Sequence, residues 1–418
     1  MEAGFRRLVV SSGLSNLADG VFTVALPLVT LRITRDPGAM GAVVLSLRLP
    51  WLLFALPAGA LADRLDRRRT MLLVDVGRGA VVGMLALVVA AGGERLWLLC
   101  ALAFLLGIGE TLFDTAAQSI VPNLVEPERL SRANGRLQAV ELTMNQFAGP
   151  PLGGLLAGAT LAGALGTTAA TYLVAAVALA LVAGSFRPVR SGEPTTLRRD
   201  VVDGVRYLFG QPLLRTLALL VGIANLGETA VLTVLPAYAI RPGPMGLPEA
   251  GYGLLLAAPA VGAVAGSMAV AAVERRLSRA TILRSTLLAI FLLTALPALT
   301  TSGWVVGAGF VVTGFCTIVW NVITVSLRQR ISPDHLLGRV NAGYRLLAWG
   351  SMPVGALVGG GLGELFGVRA VFLLAAAGQL LAVPLLFTVT DRRIAAAEQT
   401  EQTEQTGQTG QAATPADR

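Results

Sequence analysis

Apolar stretches of about 20 residues recur along the whole chain, each long enough to cross a hydrocarbon layer of ~30 Å as a helix. Within lipid the backbone finds no water to bond, so stretches of this length satisfy their N–H and C=O groups internally as α-helix. They fall at 8–31, 40–62, 71–91, 96–119, 136–158 and 167–186. After a polar segment, six more follow at 213–240, 250–272, 281–300, 303–327, 341–362 and 367–388. The pattern predicts an all-α integral membrane protein of twelve transmembrane helices. It divides into a six-helix half over 1–186, a linker over 187–211 and a second six-helix half over 212–390. The end, 391–418, contains a Glu-Gln-Thr repeat and no apolar residues worth packing, and is expected to be a disordered tail.

Composition agrees. Only 14% of the 418 residues are charged, 54% are hydrophobic and the mean hydropathy is +0.69, whereas a soluble domain carries roughly 25% charged residues. So little polar material cannot cover a water-facing surface, and the rest must face lipid. The net charge of +8 would suggest nucleic acid in a soluble chain, but its placement decides otherwise. Every basic residue is Arg, and about 25 of them lie after spans 2, 4, 8 and 10, in the linker and at the two ends. The opposite loops hold Arg32, Arg35, Arg95, Arg241 and Arg369. Because arginine-rich loops stay in the cytoplasm, both termini are expected there. Met1 to Arg7 shows no cleavage site, so the first apolar run reads as a span and not a signal peptide.

The two halves repeat one another. Asn16-Leu-Ala-Asp19 followed by Leu26-Pro27 returns 209 residues later as Asn225-Leu-Gly-Glu228 followed by Leu235-Pro236. Further along, the offset is 207: Arg132-Ala-Asn134 matches Arg339-Val-Asn341, and Gly153-Gly154 matches Gly360-Gly361. Parallel repeats of this kind place a substrate cavity near the midplane, between the halves. Asp19 and Glu228 hold equivalent positions, one in each half. A buried carboxylate is costly unless paired, protonated or facing water, so the two read as proton- or cation-binding groups, or else as acids bonded to neighbouring helices. Arg48 lies deep in the second span and is expected to pair with Asp19, either permanently or in one conformation only. Glu110 and Asp114 stand four residues apart, on one helical face, and Asn321 corresponds to Asp114 in the second half. Glu141 is a further cavity candidate, with Arg136 or Arg78 as a structural alternative partner.

Between spans 2 and 3 the chain reads Gly59-Ala-Leu-Ala-Asp63-Arg64-Leu-Asp66-Arg67-Arg68-Arg69. A turn this short makes its two helices an antiparallel hairpin. The pattern resembles the loop between helices 2 and 3 of the major facilitator superfamily, except that Asp66 stands where that family most often has glycine. The resemblance implies the major facilitator fold and a cytoplasmic gate built from Gly59, Asp63, Arg64, Arg67 and Arg68. There Asp63 would meet the start of span 11 and Arg67 would bridge to Asp114 when the cavity faces outward. The corresponding stretch of the second half, 273–279, is a worn copy. Gly149-Pro150-Pro-Leu-Gly153-Gly154 in span 5 resembles the antiporter motif of exporters in that superfamily. Residues 48–64 and 121–135 resemble, more narrowly, the branch holding enterobactin and macrolide exporters.

What this implies is a bacterial inner-membrane permease that exports a small organic compound, drug-like, macrolide-like or siderophore-like, in exchange for protons by alternating access. An uptake symporter or uniporter would use the same cavity, and a non-transporting scaffold or sensor would need no acids in its core. One chain supplies both halves of a cavity, so a monomer is the expected unit. No cofactor is expected beyond the proton gradient: no phosphate-binding Gly-rich loop precedes a Lys, and the single histidine, His335, lies in a polar loop. Cys100 and Cys316 lie in different spans, which argues against a disulfide or metal cluster. Nothing resembles a nucleophile–base pair, so no enzyme is expected.

Overall fold

A computed structural model describes residues 3–62, 65–126, 129–182, 186, 197–333 and 336–399. Asp63 and Arg64 of the charged turn, His335, and 400–418 of the tail lie outside the described residues. Ten helices among the described residues are long and apolar enough to cross a membrane. In the first half these are α1 (Ala3–Ile33), α2 (Pro37–Ala62), α3 (Arg67–Ala90), α4 (Leu96–Ile120) and α6 (Leu161–Ala180). In the second they are α7 (Pro212–Ala239), α8 (Glu249–Arg276), α10 (Gly303–Ile331), α11 (Leu337–Phe366) and α12 (Val368–Phe387).

The other two expected helices are present but interrupted, and proline explains both interruptions. In α5, over 130–159, a π-helical turn Thr143–Ala148 joins Leu130–Leu142 to Gly149–Ala159. Pro150 and Pro151 have no N–H for the carbonyls four residues back. Just before them the Gly149 amide reaches five residues back, to the Met144 carbonyl. In α9, over 279–299, Arg279–Thr294 gives way to Leu296–Leu299 at Pro297.

Short polar side chains set where the helices begin. Asp36 accepts from the Ala39 amide at 2.9 Å, Thr160 from Gly163 at 3.0 Å and Ser278 from Thr281 at 3.3 Å, each satisfying an amide the helix itself leaves open. Asp66, the departure from the usual glycine, does the same for α3 through the Arg69 amide (3.0 Å). Its second oxygen takes the Phe186 amide (3.0 Å), tying the end of the first half to the charged turn.

Within each half the packing is repeated. α1 packs on α5 as α7 packs on α11, α2 on α4 as α8 on α10, and α3 on α6 as α9 on α12. Across the halves α2 meets α11 and α5 meets α8, the exchange a pseudo-twofold axis requires. These crossings are close because glycine faces backbone. A Cβ on Gly154 would lie 2.5 Å from the Glu249 carbonyl oxygen, and one on Gly41 2.8 Å from that of Ala356. An apolar cluster including Val24 and Leu28 of α1 with Ala230, Val231 and Val234 of α7 completes the seam. Arg35 closes it over the top, donating to the carbonyls of Arg241 (2.6 Å) and Ala237 (3.3 Å). All of these contacts lie at the end of the bundle remote from the termini. On the outside of the bundle Trp304, Leu381 and Met268 are 90%, 83% and 80% exposed, a surface only lipid would cover favourably.

Part of the linker and part of the tail are helical. Part of the linker forms a helix, Leu197–Gly210, with Gly204 and Val205 against the start of α11 and Tyr207 donating to the Ile331 carbonyl at 2.9 Å. The first part of the tail, 391–399, is also helical. Ile394 is buried there, Asp391 accepts from the Ala280 amide at 3.0 Å, and Glu398 pairs with Arg279 (2.8 Å) and Arg330 (3.7 Å). The expectation of disorder from 391 onward is therefore corrected for these residues. One isoleucine and two acids aimed at an arginine-rich surface suffice to dock a short helix.

Candidate functional site

A cavity of about 290 Å³ opens inside the first half, between α1, α2, α3, α4, α5 and α6. Asp19, Arg48, Arg78, Glu110, Asp114 and Glu141 line it. Four carboxylates thus face two guanidinium groups. Asn16, Gln138, Asn145 and Gln146 supply the neutral polar lining. Gln138, Glu141 and Asn145 recur at helical spacing along α5, and the π turn within it presents Asn145 and Gln146 to the same space.

The deepest part is an ion network. Arg78 of α3 pairs with Asp19 of α1, and the Tyr172 hydroxyl of α6 donates to the same carboxylate oxygen at 2.6 Å. The Arg78 guanidinium lies 4.4 Å from the centre of the Tyr172 ring. A cation over an aromatic face is held by the ring quadrupole, most strongly where water is excluded. The expected Asp19–Arg48 pair is therefore not formed. Arg48 is directed instead to Glu110 of α4 at 3.7 Å. Depth along each helix allowed the first pairing, but the rotation of α2 about its axis selects the second. Nor does Arg78 pair with Glu141: Asp19 occupies it.

Sequence reasoning missed this network's other members, Asp75, Ser15 and Tyr172. The signal for Asp75 was available, since Asp75 and Arg78 sit three residues apart in the middle of an otherwise apolar span. Nothing local marks Ser15 or Tyr172, which become polar partners only through packing. Among the described residues the second half does not repeat the network. Gln379 occupies the place 207 residues after Tyr172, and it donates to the Ala224 carbonyl at 3.2 Å, bonding backbone and not an ion.

The remaining candidates are distributed as follows. Glu228 of α7 has a solvent-accessible side chain, outside the cavity lining, and makes no ion pair among the described residues; Arg48 is the opposite charge acting on it. Asn321 of α10 is exposed and also outside the lining. Asp114 and Glu141 face the charge of Arg345 from the second half, whose guanidinium stacks 4.5 Å from the Trp349 ring centre. Arg67 donates to the Ser119 carbonyl at the end of α4 (2.7 Å) and Asp114 turns into the cavity, so the bridge expected between them for an outward-facing cavity is not formed in this arrangement. Arg68 reaches the carbonyls of Leu179 (3.1 Å) and Ala180 at the end of α6. Gly59 falls within α2.

The helix-5 motif lies in two contacts at once. A Cβ on Gly149 would stand 2.5 Å from Gly20 Cα, and one on Gly153 2.8 Å from the Val21 carbonyl oxygen, both on α1. Gly154 and Pro150 face α8, where a Cβ on Gly253 would meet the Pro150 carbonyl oxygen at 2.3 Å. Among the described residues no group of three or more His, Cys, Asp or Glu could hold a metal ion.

Two repeated halves of membrane-length helices, the first enclosing an acid-lined cavity, are the architecture of a transporter of the major facilitator superfamily. The sequence matches the transmembrane secretion effector family over residues 1–413, and the chain belongs to it. It is 28% identical over 404 residues to the multidrug efflux pump Tap of Mycobacterium tuberculosis, covering 92% of this chain and 90% of that one. With the enterobactin exporter EntS of Salmonella typhimurium it shares 26% over 367 residues, 86% of each chain. A bacterial homologue of the iron transporter ferroportin in its inward-facing state has a TM-score of 0.72 at 19% identity, covering 94% of this chain and all of that one. In its outward-facing state with soaked iron, the homologue's TM-score is 0.59.

Proposed function

We propose that this chain is a secondary efflux permease of the bacterial inner membrane, exporting a small organic compound in exchange for protons by alternating access. The observation that carries the reading is the acid-rich cavity in the first half, accompanied by close backbone crossings of the two halves at the end remote from the termini. With the termini in the cytoplasm, as the arginine distribution requires, the cavity faces inward, ready to load from the cell. The likeness to efflux pumps for drugs and for a siderophore supports export over uptake.

In this reading Asp19 and Glu228 exchange protons, and an organic substrate competes for the carboxylates Glu110, Asp114 and Glu141. Opening outward breaks the Arg35 contacts and parts the glycine crossings of α5 on α8 and of α2 on α11. On the cytoplasmic side the turn from Gly59 through Asp63, Arg64, Arg67 and Arg68 then closes, joined by Arg345 approaching Asp114 and Glu141. The motif Gly149, Pro150, Gly153, Gly154 acts as the outer seal, which prevents protons leaking through the inward-facing state.

Inside-out vesicles holding the chain test this with a panel of fluorescent drugs and siderophores. An exporter accumulates at least one compound when the vesicle interior is acidified, and Asp19→Asn abolishes the accumulation. Compound leaving the vesicles with protons would refute export, and no gradient-dependent movement of any compound would favour the scaffold reading.

A further inference from the structure

Asp75 has no part in the function so far described, although among the described residues it is the most deeply buried charge-bearing side chain of the first half. It is 0% exposed, on the face of α3 turned towards α1. One carboxylate oxygen accepts from the Ser15 hydroxyl at 2.9 Å, and the other is buried without any hydrogen-bond partner. An ionised carboxylate left in that condition would lose several kcal/mol of solvation with nothing in exchange. The nearest cation, Arg78, is already committed to Asp19 and touches Asp75 only through Ser15, whose hydroxyl it approaches at 3.4 Å. Its Nε is likewise buried and unpartnered, leaving a donor in reserve.

The charged and titratable groups around Asp75 can be named from every side. α1 presents Asp19, α3 itself Arg78 and α6 the Tyr172 hydroxyl, while Glu110 of α4 acts on Arg78. Glu110 has its own partner in Arg48. Asp19 and Asp75 therefore share a single guanidinium, and one proton makes the cluster neutral.

We propose that Asp75 is a second proton-binding carboxylate, exchanging one proton with Asp19 through the Ser15 hydroxyl while Arg78 neutralises whichever acid is ionised. This inference rests on the proton-exchange reading above and names its internal store. Ser15 and Asp19 are one helical turn apart on the same face of α1, and the Ser15 hydroxyl already touches both Asp75 and the guanidinium that holds Asp19. In one arrangement Asp75 is the neutral acid and Asp19 the carboxylate held by Arg78 and Tyr172. In the other, the Ser15 hydroxyl first turns its hydrogen from Asp75 towards Asp19, then gives it to Asp19 as Oγ takes the Asp75 proton, and Arg78 Nε turns to the new Asp75 carboxylate. The cluster keeps one proton and zero net charge throughout. Asp19, 17% exposed, is then a neutral acid at the cavity edge, where its proton can leave.

Infrared spectroscopy of the purified full chain in lipid nanodiscs tests this without a transported compound. At neutral pH the native protein is expected to show a carboxylic-acid C=O band that Asp75→Asn removes. Asp19→Asn is expected to remove it too, because Arg78 is then released to ionise Asp75. A band that survives Asp75→Asn overturns the proposal, and a band that survives Asp19→Asn shows an isolated buried acid with no sharing. In vesicles, Asp75→Asn is expected to lower gradient-driven transport about a hundredfold, the low end of what a positioned proton-transfer group contributes, and to impair exchange of compound for compound much less. Equal losses in both would mark a structural role. If the native chain moves nothing along a proton gradient the transport reading fails, while the infrared bands still decide whether the proton is shared.

Discussion

Gly253→Ala offers a way to unbalance the two conformations with a single methyl group. In the structure the added Cβ would stand 2.3 Å from the Pro150 carbonyl oxygen, 3.1 Å from its carbon and 3.2 Å from Gly154 Cα. Atoms of this kind pack comfortably no closer than about 3.5 Å, so α8 and α5 must separate by roughly 1 Å. All three opposing atoms are backbone and cannot turn aside. Overpacking a fitted contact costs about 1–3 kcal/mol. Because α5 and α8 belong to different halves, that cost falls on the state in which the outer seam is closed and vanishes when it opens. The ratio of outward- to inward-facing protein should therefore rise about 5- to 150-fold. Spin labels at the outer ends of α5 and α8, read by pulsed electron–electron distance measurement, should show the longer distance gaining population. Gly158→Ala is the control, since its nearest atom would be Glu249 Cβ at 4.0 Å. Unchanged distances in Gly253→Ala, or an equal shift in Gly158→Ala, would refute the claim that backbone contact at this crossing holds the outer side shut.

Asp66→Ala removes both the cap of α3 and the bond to the Phe186 amide; a loss of about 1–2 kcal/mol is expected, seen as a lower unfolding temperature in detergent, with Asp66→Asn milder. Arg78→Ala strands two buried acids and should cost about 3–5 kcal/mol, and adding Asp75→Asn should restore part of it in the same thermal assay. Asp391 is held below its ordinary value chiefly by the Ser278 hydroxyl, and also by the Ala280 amide, against the opposing effect of burial. A depressed carboxyl stabilises the docked tail above the unfolded value of about 3.9, and the contribution disappears as pH falls through the lower docked value. The protection factor of 391–399 against hydrogen exchange should thus be constant through neutrality and fall only in acid, while Asp391→Asn should lower it already at pH 7.

Much of the cavity's membership was legible from the chain. Asp19, Arg48, Glu110, Asp114 and Glu141 stood out because an ionisable residue inside an apolar span is too costly to be incidental, and the structure brings all five to one space. Their partners were not legible. Depth in the membrane follows from counting residues at 1.5 Å each, but the direction of a side chain follows from the rotation of its helix, which neighbouring helices set. That is why Arg48 turned to Glu110 and left Asp19 to Arg78.

The halves divide along the same line. Twelve spans, the repeat and the placement of arginine are local or periodic properties, and the sequence by itself determined them because lipid imposes one backbone solution on every apolar stretch. Tertiary structure alone decided which glycines meet across the seam, which carboxylates share Arg78 and how 391–399 dock. Those outcomes depend on contacts between residues far apart in the chain, and no residue carries a record of its distant neighbour until the helices pack.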